Sequence, residues 1–232
     1  MKLKINSYSP RVSILWATPD PAIYIAHAAS TTQKGIFAQV DTESPTERVR
    51  LIKYLITANH TSVLEHAVIS FRCSNLSRAT MDQLVRHRIG SFTTSSTHYQ
   101  NHSNYEHFID FEAFDIEGFG EQLAQQMAVY SKVAATNKLA ARQLLPLSVG
   151  VVVTWTVNAR SLLNFLRLRL CKRNTTEMFM FAQAIFNVAN EWFCECFRTD
   201  ICSTCMDCSQ GKMKCTNNDW HRISINNMNQ GG

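Results

Sequence analysis

Arg86-His87-Arg88 set two guanidiniums around one imidazole, and the chain then runs into SFTTSSTHYQ at 91–100, a stretch dense in hydroxyls. Arginine presents a planar fork of donors that grips phosphate oxygens in pairs. Loop hydroxyls and amides can complete such an anion site. Cations at a helix C-terminus are also favoured by the macrodipole alone, and residue types do not choose between these readings. A second constellation is Asn158-Ala159-Arg160-Ser161 with Asn164, Arg167 and Arg169, on a helix that follows an apolar strand. Asn158, Ser161 and Asn164 can share a face, and Arg169 lies about half a turn round from Asn164. A strand end that feeds a helix start is a common ligand site, although Asn158 could equally be a cap and the arginines solvated. Asn59-His60-Thr61-Ser62 with Glu65-His66 has no metal-ligand spacing. The tail carries Cys202-x5-Cys208-x6-Cys215 with Cys205 inside it and Cys171 far upstream, a density suited to tetrahedral zinc, less readily to an iron–sulfur cluster, or to reduced thiols.

The elements that must position these groups follow from the apolar periodicity. Residues 11–18 read as a short strand, and in TPDP Asp20 can cap a helix with Pro21 at its first position. A second helix is expected over 44–59, opened by Ser-Pro-Thr-Glu. Alternation predicts a half-buried strand over 66–73, then a helix from after Ser74-Asn75 to Arg86. From 89 to about 105 the chain reads as a long polar loop, which in a compact domain is usually functional. A long helix over 119–143, a buried strand over 149–157 and helices over 158–170 and 175–198 complete the order. Strands mix with longer helices and no repeat or linker is visible, so the expectation is one α+β domain over residues 1–200 with a Cys-rich tail, 201–232, packed on it.

Composition narrows the class. The 232 residues suffice for one sizeable core, and 45% apolar with 18% charged residues is ordinary for a globular protein. Lys plus Arg is 23 against 18 for Asp plus Glu; a charge of +5 suits an anionic small molecule as well as nucleic acid. No apolar run approaches the roughly 20 residues of a membrane span, and the N-terminus lacks a signal-peptide pattern. Eight cysteines without a secretory signal fit a reducing compartment, so the reading is a cytoplasmic protein with no membrane partner. The tail lacks the interleaved aromatic and basic residues of a nucleic-acid platform, so no nucleic acid is expected either.

The spacing RHR, seven residues, then Ser96 resembles the signature of the flavin-dependent thymidylate synthases. TPDPAIYIAHAA at 18–29, HTSVLEHAVISF at 60–71, SRATMDQLVRHR at 77–88, LPL at 145–147 and WTVNARSLLNFLRLR at 155–169 are similar to that family's landmarks in order and spacing. The resemblance covers nearly the whole chain, and RHR-x7-S together with NARSL-x-NFLRLR is specific. It implies a twisted, mainly antiparallel sheet flanked by long helices, in a homotetramer whose active sites are shared between subunits. It implies FAD, with NADPH and methylenetetrahydrofolate as co-substrates, acting on dUMP or a similar pyrimidine monophosphate. Carried over, His60, Ser62, Arg86, His87, Arg88, Asn158, Arg160 and Asn164 would contact FAD. Gln83, Arg86, Thr94, Ser95, Ser96, Thr97, His98, Arg142 and Arg169 would hold the nucleotide. Arg169 would polarise the pyrimidine, an electrostatic role that replaces a cysteine nucleophile, and Ser96 would bind and orient. One branch of the family carries a cysteine set matching Cys171, Cys202, Cys208 and Cys215, which implies structural zinc.

Two places depart from the pattern. The family has Arg before the Tyr that follows the signature Ser; here His98 precedes Tyr99, and a neutral imidazole lacks both fixed charge and fork. Where the family continues Ala-Gln-Trp-Glu, this chain reads Asn174-Thr175-Thr176-Glu177. Besides dUMP methylation, the residues therefore admit methylation or hydroxymethylation of dCMP, or a non-catalytic, zinc-containing nucleotide-binding protein.

Overall fold

The computed structural model describes residues 3–34, 44–109, 113, 115–171 and 174–199. Its centre is β3, Val68–Ser77, whose alternation buries Ile69, Phe71 and Cys73 on one face. β3 pairs antiparallel with β2, Arg11–Ala17, on one side and with β6, Gly150–Asn158, on the other. β4, Ser91–Thr94, adds to the far side of β6, giving an antiparallel order β2-β3-β6-β4. A separate parallel pair joins β1, Ile5–Ser7, to β5, His107–Ile109. The mixed α+β reading with a mainly antiparallel sheet holds.

Helices cover the buried face. α1, Pro21–Lys34, follows Asp20, which has φ 41° and faces Arg48 at 3.5 Å. α2, Pro45–Thr57, opens on a capping box in which the Glu47 amide donates to Ser44 Oγ at 3.3 Å and the Ser44 amide to Glu47 Oε2 at 3.2 Å. α3, Arg78–Leu84, α6, Ala159–Arg169, and α7, Thr176–Trp192, bring Leu84, Phe165 and Phe181 into the same core as Val151, Val153, Trp155 and Val157 of β6. Phe165 is its hub, edge-on to Trp155 at 4.9 Å and to Phe181 at 6.0 Å.

Several boundaries differ from the sequence reading. The strand expected over 66–73 begins at Val68, because 61–66 coil into a 3-10 turn, and continues to Ser77. Ser74-Asn75 is a bulge rather than a stop: pairing with β6 shifts between Cys73 and Leu76, and Asn75 takes φ 58°. The polar loop contains β4, whose Phe92 lies nearly parallel to Trp155 at 6.0 Å. Gly90 lets it approach, since a Cβ there would meet Trp155 Nε1 at 2.9 Å and the Thr156 carbonyl at 3.1 Å. The helix over 119–143 breaks: α4, Phe119–Thr136, stops at extended Asn137, whose Oδ1 caps the short α5, Lys138–Ala141, followed by a 3-10 turn, Arg142–Leu144. The helix over 175–198 ends at Trp192, because Cys194 and Glu195 take positive φ before a 3-10 turn, Cys196–Thr199. Among the described residues no helix is long and apolar enough to cross a membrane.

Glu177, in the first turn of α7, is 1% exposed. Its carboxyl accepts from the Ser77 amide at 2.6 Å and from Ser77 Oγ, while Ser77 Oγ itself caps α3 through the Thr80 amide at 3.2 Å. One buried group thus ties the end of β3 and the start of α3 to α7. Burial pushes its pKa up, against the downward pull of these hydrogen bonds. Glu177→Ala strips a partner from buried donors and is expected to lower the unfolding free energy by about 2 kcal/mol in urea titrations. Glu177→Gln, which keeps an acceptor, should cost less.

Candidate functional site

β6 ends where α6 begins. Asn158 is in extended conformation, its Oδ1 accepts from the Ser161 amide at 2.8 Å, and the Ala159 amide donates to the Ala67 carbonyl at 2.8 Å. This anchors the first turn of α6 against the end of the 3-10 turn Thr61–His66. Ala159, Leu162, Phe165 and Leu166 face the core, which leaves Arg160, Ser161, Asn164, Arg167 and Leu168 along the opposite stripe. That stripe, Asn59, Thr61 and Glu65 of the turn, and residues 86–89 enclose a cleft of about 700 Å³.

The cleft is cationic. Arg86, Arg88, Arg160, Arg167 and Arg169 line it against, among the described residues, one carboxylate, Glu65, which pairs with Arg160 at 2.5 Å. Arg169 is held differently from Arg160. Its Nε donates to His87 Nε2 at 2.9 Å, its Nη1 to Asn174 Oδ1 at 3.2 Å and its Nη2 to the Gln83 carbonyl at 3.5 Å. All three partners are neutral, and among the described residues no carboxylate pairs with it. The guanidinium is therefore fixed in direction while its charge stays uncompensated, which is what an anionic or electron-accepting ligand requires.

His87 must be neutral for this to work. Its Nε2 accepts from Arg169, so the ring carries its proton on Nδ1. Burial first, and the Arg169 charge second, pull its pKa from the ordinary 6.5 to about 4. The edge of Phe165 packs against the imidazole at 5.0 Å and supplies part of that burial.

Of the flavin-directed residues expected from the sequence, Arg86, His87, Arg88, Arg160 and Asn164 line the cleft. His60 and Ser62 sit exposed on the adjoining 3-10 turn, and Asn158 is the helix cap. Of the face expected for Asn158, Ser161 and Asn164, the last two line the cleft, while Asn158 caps the helix through the Ser161 amide.

The nucleotide-directed residues divide. Arg169 lines the cleft, Arg86 does too, and Gln83 reaches Arg169 through its carbonyl. Thr94, Ser95, Ser96, Thr97 and His98 lie elsewhere. β4 runs from Ser91 opposite Thr156 to Thr94 opposite Val153, and the Ser95 amide donates to the Val152 carbonyl at 2.9 Å. The loop therefore leaves the sheet six residues back along β6 from Asn158, a rise of about 20 Å. There Ser96 Oγ accepts from the amides of His98 at 3.1 Å and Tyr99 at 3.4 Å, and the His102 ring holds the Ser96 carbonyl at 3.4 Å. His98 stands edge-on to Tyr99 at 4.4 Å, both exposed, and Arg142 is exposed on its own turn.

Glu65 entered the sequence reading only within a constellation lacking metal-ligand spacing, and Asn174 only as part of a departure from the family pattern; neither was given a role in the site. The sequence signal for Asn174 was its position just past a helix ending in LRLRL, where Asn serves as a terminator. Cys171 is half-buried at the end of α6; Cys202, Cys208 and Cys215 lie outside the described residues. Among the described residues no group of three or more His, Cys, Asp or Glu is placed to hold a metal.

Comparison with known proteins adds to this geometry. The family model described as "Thymidylate synthase complementing protein" matches residues 13–194. A flavin-dependent thymidylate synthase of Clostridium tetani is 28% identical over 209 residues, covering 80% of this chain and 81% of the relative. One of Sulfolobus acidocaldarius is 32% identical over 185 residues, 77% of this chain and 68% of the relative. Among solved structures, the flavin-dependent thymidylate synthase of Helicobacter pylori complexed with FAD and dUMP has a TM-score of 0.69 at 22% identity, covering 82% of this chain and 99% of that one. The UMP/dUMP methylase PolB from Streptomyces cacaoi, bound with 5-Br dUMP, also gives 0.69, at 20% identity with 85% and 97% covered. At these identities the two structures speak for the fold.

The neutral imidazole has a measurable consequence. Between pH 6.5 and about 4 an unfolded His87 binds a proton that the folded one refuses, so stability falls as pH falls through that window. Burial lowers the pKa of His102 and His107 as well, so they contribute in the same sense. Chemical denaturation across this range should show His87→Gln, which keeps an acceptor for Arg169, losing stability less steeply with acid than the wild type.

Proposed function

Because the chain belongs to the flavin-dependent thymidylate synthase family, a family of methyl-transferring flavoenzymes, we propose that the arginine-lined cleft holds FAD and that the protein methylates dUMP at C5 to give dTMP. In this reading methylenetetrahydrofolate supplies the carbon and NADPH the reducing equivalents. The observation that carries it is Arg169, aimed into the cleft by His87, Asn174 and Gln83 with its charge uncompensated.

The residues present fit the flavin. A volume of about 700 Å³ is in the range of cofactor sites, and the arginines suit a pyrophosphate carrying two negative charges. Ile89, Leu163 and Leu168 offer apolar wall to a ring system. Bound FAD would take hydride from NADPH and deliver it to the nucleotide. Arg86, Arg88, Arg160 and Asn164 would bind and orient that group, and Arg169 would stabilise negative charge on the pyrimidine, which makes C5 the better nucleophile. Among the described residues no cysteine lines the cleft, and burial pushes the Cys73 and Cys196 thiols up to about 12, which suits activation by charge rather than by a thiolate.

The absence of Thr94, Ser95, Ser96, Thr97, His98 and Arg142 from the described residues that line the cleft supports a site completed by another copy of the chain, in a homotetramer. The loop with Thr94, Ser95, Ser96, Thr97 and His98, together with Arg142, would reach the cleft of a neighbouring subunit rather than its own. We assign Cys171, Cys202, Cys208 and Cys215 to a structural zinc site, supported by the half-buried Cys171 thiol at the end of α6. A second reading changes only the pyrimidine. His98 in place of the expected Arg alters the phosphate-binding loop, and a structural neighbour is a UMP/dUMP methylase, so UMP and dCMP are the competing substrates.

Three measurements test this reading. The purified protein with FAD, NADPH, methylenetetrahydrofolate and each pyrimidine monophosphate should turn over dUMP fastest; faster conversion of UMP or dCMP would reassign the substrate. Arg169→Ala should lower kcat by roughly 10²–10³-fold while flavin absorbance is retained, and unchanged turnover would refute its role. Refolded mixtures of inactive Arg169→Ala and Ser96→Ala/Arg142→Ala chains should regain about a quarter of wild-type activity if each site draws on two subunits, and none if it draws on one.

A further inference from the structure

A helix leaves its last four carbonyls without intrahelical partners, and at the end of α6 one side chain meets three carbonyls of this region. Asn174 Nδ2 donates to the carbonyls of Leu168 at 2.9 Å, Arg169 at 3.1 Å and Cys171 at 3.1 Å. Its own amide donates to the Cys171 carbonyl at 3.0 Å, closing the turn back onto the helix. With the nitrogen committed to three acceptors, the amide has one orientation, since a flip would set oxygen against oxygen. Oδ1 is thereby directed at Arg169 Nη1, 3.2 Å away.

We infer that Asn174 is a positioning residue for Arg169, fixing the guanidinium in the cleft without neutralising it. This rests on the reading of Arg169 as the group that polarises the nucleotide. Each half of the amide is needed. The donor half ties Asn174 to the helix that carries Arg169, so the acceptor half moves with its target. The acceptor half is a carbonyl, a weaker partner than a carboxylate, so the charge of Arg169 remains available to the ligand. Aspartate has nearly the same shape and would fail on both counts: it offers no donor to the three carbonyls, and its charge pairs with Arg169. Asn174 stands where the family resemblance expects Ala, so in this chain the guanidinium has a support that an alanine could not supply.

The test uses the FAD-loaded full-length protein with Asn174→Ala, Asn174→Asp and Asn174→Ser, measuring kcat and KM for dUMP, dUMP affinity by calorimetry, and Tm. Asn174→Ala should lower kcat about tenfold with flavin content unchanged, as for loss of one hydrogen bond to a charged group. Asn174→Asp should in addition weaken dUMP binding by at least about tenfold, because it compensates the charge. Asn174→Ser retains a hydroxyl donor for the helix end but is too short to hold Arg169, so a folded Ser variant with reduced kcat supports positioning even if the other two fail to fold. Variants that lose only Tm, with kcat and dUMP affinity within about twofold of wild type, would make Asn174 a helix terminator and overturn the inference. A wild-type protein inert toward dUMP overturns the parent reading, and this one with it.

Discussion

The site depends on one hydrogen bond, from the Nε of Arg169 to Nε2 of His87. A guanidinium inside a protein usually finds a carboxylate, and the ion pair then cancels the field that the arginine would exert. Here the partner is an imidazole kept neutral by burial, so direction is fixed and charge is not spent. Everything around the pair maintains that condition. Phe165 shields the ring, α3 and the turn after it deliver His87 from one side, and α6 delivers Arg169 from the other. The buried Glu177 ties α3 to α7 through Ser77 and forms no ion pair with the guanidinium among the described residues.

β6 acts as a ruler. It is paired on both sides, so its length and pleat are rigid, and it holds the cleft at its Asn158 end and the hydroxyl-rich loop near its other end. Arg88 and Ser96, only eight positions apart in the chain, are thereby driven apart by β4, which runs alongside β6 away from the cleft. Sequence proximity here opposes spatial proximity, and it is the antiparallel register that enforces the difference.

Much of this was legible beforehand because the major elements have strong periods: the alternation of β3 and β6, the stripe of α6 and the caps at Ser44 and Asn158. Features that depend on tertiary pairing were not. β4 is Ser-Phe-Thr-Thr, a composition shared with loops, and becomes a strand only because β6 offers an open edge. Asn75 and Asn137 carry left-handed and extended backbone inside segments that propensity alone would continue or stop differently. The arginine and histidine candidates were visible as types. That they bond each other, with Asn174 as third member, required the fold, because 82 residues separate His87 from Arg169.

The edge contact between Phe165 and His87 carries a wider consequence. Phe165 is the hub of the aromatic core, touching Trp155 and Phe181 as well, so the imidazole leans on the same ring that holds sheet and helices together. Interiors are packed too closely for that ring to tilt alone. Changes in core volume made for thermal robustness would therefore travel through Phe165 to the acceptor that aims Arg169. In this protein the traits of endurance and turnover are mechanically linked, and an engineer or a lineage adjusting one would be retuning the other.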